Sequence, residues 1–389
     1  MTPTDLDRTR RRVLLLGMGP TALDALESLA ARFDLLGVVR PPGPGADPVR
    51  TRAAVLGVTV YADCAPSAVR ALVGRLRPDC VVVSSYDRIL PGDLVTATPF
   101  VNVHYAPLPR YRGRATVNWA ILRGEPYTAV TVHRLVAGLD AGNILFSERV
   151  PIGPRDTVGE LYGRLNAIQR ARLAGTVADM IDGYAGVPQD EARASYACTR
   201  LPADGQIDWS APTVTVDALV RALSDPYPGA FSHLHGRRLV VWSAEPVADP
   251  PRYDGRVPGR VVGRSDQDGH VDVLTGDGVL RLWRVQSDRP AGTDGADRAD
   301  RVMAATVIRS VRTTLGLSTA DLSNRVAELE GTVRELTARL DRLDRLDRLD
   351  RLDRLDGVDG VDRMDRVDRV DRDGPGGPGG PGRAGGGRP

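Results

Sequence analysis

The chain contains no lysine; all 52 basic side chains among its 389 residues are arginine. This excludes chemistry that needs a primary amine on the protein: a Schiff base, attachment of pyridoxal phosphate, or the lysine of a Walker phosphate loop. The bias suggests a GC-rich, bacterial coding sequence. Cysteine is almost as scarce. Cys64, Cys80 and Cys198 lie far apart, with no CxxC or Cys/His cluster, so nothing suggests a metal, and the odd, sparse count fits a reducing cytoplasm. A surplus of charge is also missing. Arginines are matched by 50 acidic residues, for a net charge of +2, so no overall field drives the chain onto DNA or a membrane. No apolar stretch approaches a membrane span. Arg10 to Arg12 before VLLLGMG superficially resembles a signal peptide, but the apolar run is short and is soon interrupted by Pro20 and Asp24. A strand is expected there instead.

What is present is an alternation of strands and helices. Val13 to Leu16, the turn Gly17–Met18–Gly19 and the periodic Leu23, Leu26 and Leu29 read as strand, turn and helix. Position 22 is alanine, so the GxGxxG dinucleotide pattern is incomplete and a tight turn is the simpler reading. Leu35 to Val39, Cys80 to Ser84, Phe100 to His104 and Val130 to Leu135 read as further strands, and Thr116 to Leu122 as a helix. The expected fold class is α/β: a Rossmann-like parallel sheet over residues 11–183, closed by a helix from Thr157 to Ile181 with Asp156 or Thr157 as N-cap and Glu160 in its first turn. A linker at 184–198 then leads to short β-like segments over 199–287, with a lead-in helix at Val216 to Leu223, which fit a small β-barrel.

Residues 288–303 read as a second linker, and Ala304 to Leu315 as a helix, so that a cut after Asp300 would leave the two preceding domains folded and functional. Ser318 and Asp321 resemble a capping box. Behind them Leu322, Val326, Leu329, Val333, Leu336, Leu340 and Leu343 follow a heptad spacing, giving a helix and coiled coil over 304–344. Valine at two a positions and leucine at d favour a parallel two-stranded coil, hence a homodimer. From 345 to 373 a tripeptide repeat (LDR, VDG, VDR) takes over. Its apolar residues, three apart, wind around a helix rather than extend one seam. Residues 374–389, rich in glycine and proline, are expected to be disordered.

The run Val101 to Gly113, VNVHYAPLPRYRG, followed by GLDAG at Gly138 to Gly142, carries the chemistry. Asn102 and His104 lie two apart on a strand, so both side chains share a face. Asp140 sits in a glycine-bounded turn at another strand end. An amide donor, an imidazole and a carboxylate suit acyl transfer to an amine. The amide would hold the developing oxyanion, and the carboxylate would raise the histidine pKa and keep it charged.

At these residues the chain resembles the formyltransferases that use 10-formyltetrahydrofolate. Asn-x-His, the PRYRG loop, RATVNWAILRGE, GLDAGNIL and the downstream DGQIDWSAP and DPYPGAF carry a resemblance spanning roughly residues 11–287. It implies Asn102, His104 and Asp140 as catalytic residues. It places the folate cosubstrate against Ser85, Tyr86, Asp87, Arg114 and the turn Val136, Ala137, Gly138, Leu139 and Asp140. It implies an OB-like barrel for 199–287. It makes Ala106, Pro107, Leu108, Pro109, Arg110 and Arg112 a substrate loop, in which Tyr105 and Pro107 depart from the family's Gly-Ser-Leu-Leu-Pro. No metal is implied.

The acceptor stays open between a small-molecule amine, such as an amino sugar or amino acid derivative, and initiator methionyl-tRNA. The stretch from Arg40 to Arg50 is short and mostly uncharged where the tRNA enzymes carry a basic insertion, and residues 199–290 are charge-balanced. Both favour the small amine. Glycinamide ribonucleotide transformylase fits less well, because of the GLDAG form and the extra barrel. A reading from another class is an inactive scaffold held together by its coiled coil.

Overall fold

The computed structural model describes residues 10–19, 21–43, 46–287 and 300–359. Its first sheet has seven strands: β1 (Arg12–Leu16), β2 (Asp34–Val39), β3 (Val60–Tyr61), β4 (Cys80–Ser84), β5 (Phe100–His104), β7 (Tyr127–Arg134) and β8 (Ile144–Pro151). A two-residue strand, β6 (Arg112–Gly113), lies outside it. The order is β3-β2-β1-β4-β5-β7-β8. β1 to β5 run parallel, whereas β7 pairs antiparallel with both β5 and β8. The parallel sheet expected from the sequence is therefore a mixed one. The connection from β5 through the helix at Thr116–Leu122 brings β7 back antiparallel alongside β5, and β8 follows it antiparallel at the edge.

Val13 to Leu16 are fully buried, as a central strand covered on both faces must be. Helices α1 (Ala22–Ala30), α2 (Pro48–Val55), α5 (Thr116–Leu122) and α6 (Val158–Ile181) pack on one face, and α3 (Pro66–Leu76) and α4 (Gly92–Ala97) on the other. The α6 N-terminus is a capping box: Thr157 Oγ1 accepts from the Glu160 amide, and Glu160 accepts from the Thr157 amide at 2.9 Å.

The connector after α6 carries β9 (Tyr196–Ala197), which pairs with β6 in parallel register, Arg112 with Tyr196 and Gly113 with Ala197. The stretch 184–198 expected as a linker is thus tied into the first domain. Past α7 (Thr213–Ala222) comes an antiparallel sheet of β10 (Ala230–Leu234), β11 (Arg237–Pro246), β12 (Val261–Arg264), β13 (Val271–Leu274) and β14 (Val279–Ser287), in the order β10-β11-β14-β13-β12. Among the described residues no pairing joins β10 to β12.

β15 (Val302–Met303) adds to β14, and α8 spans only Ala304–Val307. The helix expected to Leu315 is this single turn, followed by irregular chain whose Ile308 and Leu315 are buried in the core with Trp209 and Val261. The second domain therefore continues well beyond residue 287. A cut after Asp300 would remove part of its core, so that expectation is corrected. Most of the expected linker, 288–299, lies outside the described residues.

A separate unit comes next. α9 (Thr319–Asp359) is one helix of 41 residues, beginning directly after Ser318. It includes the first part of the tripeptide repeat. Residues 360–389, with the rest of the repeat and the expected disordered tail, lie outside the described residues. Among the described residues no helix is long and apolar enough to cross a membrane.

Candidate active site

The β5–β7 register sets Asn102 directly opposite His133, and the turn after β7 returns Asp140 to the same place. Asn102 Nδ2 donates to Asp140 Oδ1 at 3.3 Å and lies 3.1 Å from His133 Nε2. His133 Nδ1 is 2.9 Å from the Arg134 carbonyl and so carries the hydrogen, which leaves Nε2 to accept from Asn102. The three residues expected together do converge, and His133, which was not singled out, joins them. TVHR is a plain strand pattern; only the pairing register reveals that its histidine faces the site.

His104 is buried, with Nε2 2.7 Å from the Tyr111 carbonyl and Nδ1 3.7 Å from Asp140 Oδ2. Because a carbonyl only accepts, Nε2 is the donor, and in the neutral ring Nδ1 keeps its lone pair toward Asp140. Burial lowers the His104 pKa and outweighs the opposing pull of Asp140. His104 is thus held neutral, and the expected raised pKa is corrected. Burial works against ionisation of Asp140 as well. There the neighbouring His133 and His104 rings, Asn102 Nδ2 and the Gly113 amide at 2.8 Å prevail and hold its carboxyl well below the usual range. Asn102 also differs from expectation. Its two N–H groups are already directed at His133 and Asp140.

The backbone delivers these groups from the left-handed region at Tyr111 (φ 61°) and Asp140 (φ 47°), conformations that cost energy in residues with a Cβ and need outside support. The connector supplies it. Tyr111 N donates to Ser195 Oγ at 3.0 Å and Arg112 N to the Ser195 carbonyl at 2.8 Å. Gln189 Nε2 donates to the carbonyls of Asp140 and Gly142, both at 2.7 Å. Arg112, only 1% exposed, donates to Gln189 Oε1 at 2.8 Å and to both carboxylate oxygens of Glu191, at 2.6 and 2.9 Å. Gly113 has no alternative, since a Cβ there would sit 2.6 Å from the Ala197 carbonyl. Gln189, Glu191 and Ser195 were not legible in the sequence, because they act across about 50 to 85 residues of chain.

Most of the expected substrate loop therefore faces inward. Ala106 and Leu108 are buried, and Arg110 pairs with Glu125 at 2.5 Å. Pro107 and Pro109 are partly covered. Tyr105 donates to Asn166 or Gln169 in the core. Arg110 and Arg112 are corrected from substrate contacts to internal ion pairs.

At the expected folate surface, Ser85 stands at the end of β4 in the left-handed region (φ 59°) and holds the glycine turn: the Met18 and Gly19 amides donate to its carbonyl. A Cβ on Gly19 would lie 2.5 Å from that of Ser85, so the glycines serve a tight turn, as expected. The Tyr86 hydroxyl turns away to the Cys64 carbonyl. Asp87, Arg114 and Val136 to Leu139 are exposed. Ile89 is 92% exposed, and the loops it and Leu139 belong to approach where Gly92 nears Ala137. Two apolar-tipped loops thus flank the carboxyl ends of β4 and β7, beside Asp140.

The formyl transferase family model matches residues 59–177, and the model of the formyl transferase C-terminal domain matches 201–297, together more than half of the chain. The chain belongs to the formyl transferase family. Among solved structures, HypX from Aquifex aeolicus in complex with tetrahydrofolic acid is similar at 18% identity and TM-score 0.55, over 78% of this chain and 48% of that one. The chain spans about half the length of HypX, and the likeness is one of fold. Methionyl-tRNA formyltransferase from Clostridium thermocellum (17% identity, 60% of this chain, 93% of that chain, TM-score 0.47) is a further match. So is a sugar N-formyltransferase from Shewanella sp. FDAARGOS_354 (20%, 57%, 92%, 0.47). Among the described residues no cluster of His, Cys, Asp and Glu is arranged to hold a metal ion.

Proposed function

We propose that this formyl transferase moves a formyl group from 10-formyltetrahydrofolate to the primary amine of a small molecule. The observation that carries the reading is the convergence of Asn102, His104 and Asp140 on one point, with Asn102 Nδ2 3.3 Å and His104 Nδ1 3.7 Å from the Asp140 carboxylate. A planar bicyclic ring with an amide-like edge suits the exposed apolar side chains of Ile89 and Leu139 and the strand-end backbone beside them. The folate supplies the activated formyl group when bound.

The residues then divide the work. Asn102 donates to the formyl oxygen as charge develops there. Its hydrogen bond to Asp140 is the longer of its two, so that hydrogen is the one redirected. His104, starting neutral, accepts the proton lost by the attacking amine. Asp140 stabilises the imidazolium, and His104 returns the same proton to the departing nitrogen. One proton moves through one group, and none is consumed. His133 and Gln189 keep Asn102 and Asp140 in place.

The small-amine acceptor is favoured by how the arginines are used. Between β2 and α2, Arg40 donates to Asp47 and to the carbonyls of Gly17, Met18 and Gly19, and Arg50 donates to the Arg40 carbonyl. In the second domain Arg264 pairs with Asp266, and Arg281 with Asp272. Cations spent on internal partners offer little to a phosphate backbone.

Consumption of 10-formyltetrahydrofolate with a panel of amino sugars, amino acid derivatives and charged initiator tRNA tests this. Turnover is expected with a small amine. His104→Ala and Asp140→Asn should each lower it about a hundredfold or more, the usual scale for a lost transition-state contact, with unchanged folding. Efficient formylation of the tRNA alone would reverse the assignment of the acceptor. No consumption with any of them would leave the scaffold reading.

A further inference from the structure

We propose that α9 is the pairing surface for a second copy of this chain, through a parallel two-stranded coiled coil confined to Leu322–Leu343. Leu322, Val326, Leu329, Val333, Leu336, Leu340 and Leu343 are each between 49% and 62% exposed along one stripe of a continuous helix. A helix of this kind has little reason to persist alone. Its apolar stripe is uncovered, its centre contains Gly331, and the ion pair of Arg325 with Glu328 is a local one within the same turn.

Charge decides the occupant and its direction. With Val326 and Val333 at a, Arg325 and Arg339 fall at g, and Glu330 and Asp344 at e. In a parallel pair g meets e of the next heptad on the other strand. Arg325 then faces the partner's Glu330, and Arg339 the partner's Asp344, twice by symmetry. An antiparallel pair sets g against g and e against e. It would bring Arg325 to the partner's Arg339 and Glu330 to the partner's Glu330. The one helix thus carries both halves of a self-complementary pattern and rejects the reversed alignment. Valine at a and leucine at d select two strands over three.

The seam also has a built-in end. The next a position after Leu340 is Asp347, while the apolar residue moves to Leu346 and then drifts around the helix. Continued into the repeat, the heptad would put Asp347 at a and Asp350 at d, so the seam stops at Leu343. Gly331 lies at f, away from the partner, where a missing side chain costs no packing.

Sedimentation equilibrium of the full chain at a concentration on the order of ten micromolar, suited to a three-heptad seam, should return twice the monomer mass. Leu329→Asp with Leu336→Asp should return a monomer with unchanged melting of the catalytic unit. In a Cys198→Ser background, mild oxidation should cross-link Val326→Cys, whose copies face each other only in the parallel register, and not Ala338→Cys at f. Arg325→Glu should weaken the dimer, and adding Glu330→Arg should restore it. A monomeric or trimeric wild type, or a dimer that survives the paired aspartates, overturns the proposal. A dimer in which Val326→Cys fails to cross-link overturns the parallel alignment. None of these readouts depends on formyl transfer.

Discussion

α6 and α9 are the two longest helices and make opposite use of the same periodicity. In α6, Leu161, Leu165, Leu173 and Val177 are fully buried against β-sheet and α1. In α9 the corresponding stripe is half open. Spacing alone specifies an apolar face, not what covers it. The difference lies in the flanks. α6 opens with a full capping box that starts it without help from packing, and its polar side chains bond its neighbours, as Gln169 does to the Thr21 carbonyl at the start of α1, at 2.9 Å. α9 has Arg and Glu where a coil needs them, and among its described side chains none is buried.

The comparison can be broken most directly at Leu165. Leu165→Ala leaves a cavity in the main core and should cost about 2–5 kcal/mol; the matching Leu336→Ala in α9 should leave the melting of the catalytic unit unchanged. Denaturant titration of both variants checks this, and equal losses would mean that α9 packs on its own chain. Next in size is the connector. Gln189→Ala removes two hydrogen bonds that hold Asp140 and should lower kcat about tenfold, the scale of one lost hydrogen bond of roughly 1.4 kcal/mol, with KM for the folate little changed. An unaltered kcat would make Gln189 a purely structural residue.

Acid should separate the two regions in the same sense. His104 and Asp140 both have pKa values lowered by the fold, so the folded state binds protons less readily than the unfolded chain. The His104 contribution is present above its unfolded value near 6.5 and fades as pH falls below it; that of Asp140 fades below about 4. Stability of the catalytic unit should therefore fall from about pH 6.5 downward, and activity with it, while Asp140→Asn should flatten the lower part of the curve. Melting curves across that range decide it. The smallest expected change is Thr157→Ala, which removes the α6 cap and should cost about 1 kcal/mol.

Much of this was legible in the residues. β1, β2, β4 and β5 announce themselves as short apolar runs, and the Thr157 cap by its glutamate three residues on. Asn102 and His104 are legible because both lie on one strand, two apart, and Asp140 because glycines bound its turn. What was not legible depends on distant pairing. His133 enters the site through a β5–β7 register that no local pattern sets. The neutral state of His104 reflects how deeply the assembled fold buries it. Ala304 to Leu315 has helical composition, but burying Ile308 and Leu315 in the second sheet favours an irregular path. Arg110 and Arg112 look like a solvated basic loop until Glu125 and Glu191 arrive from elsewhere.

The connector also sets how this chain can be recombined. An exchange that kept residues 10–183 and replaced everything after would inherit Asn102, His104 and Asp140 in their motifs. It would lose Gln189, Glu191 and Ser195, the groups that hold the Arg112 side chain and the strained backbone of Tyr111 and Asp140. Such a chimera would pass every motif test and still lack a formed site, so the two domains are exchangeable only with their joining segment.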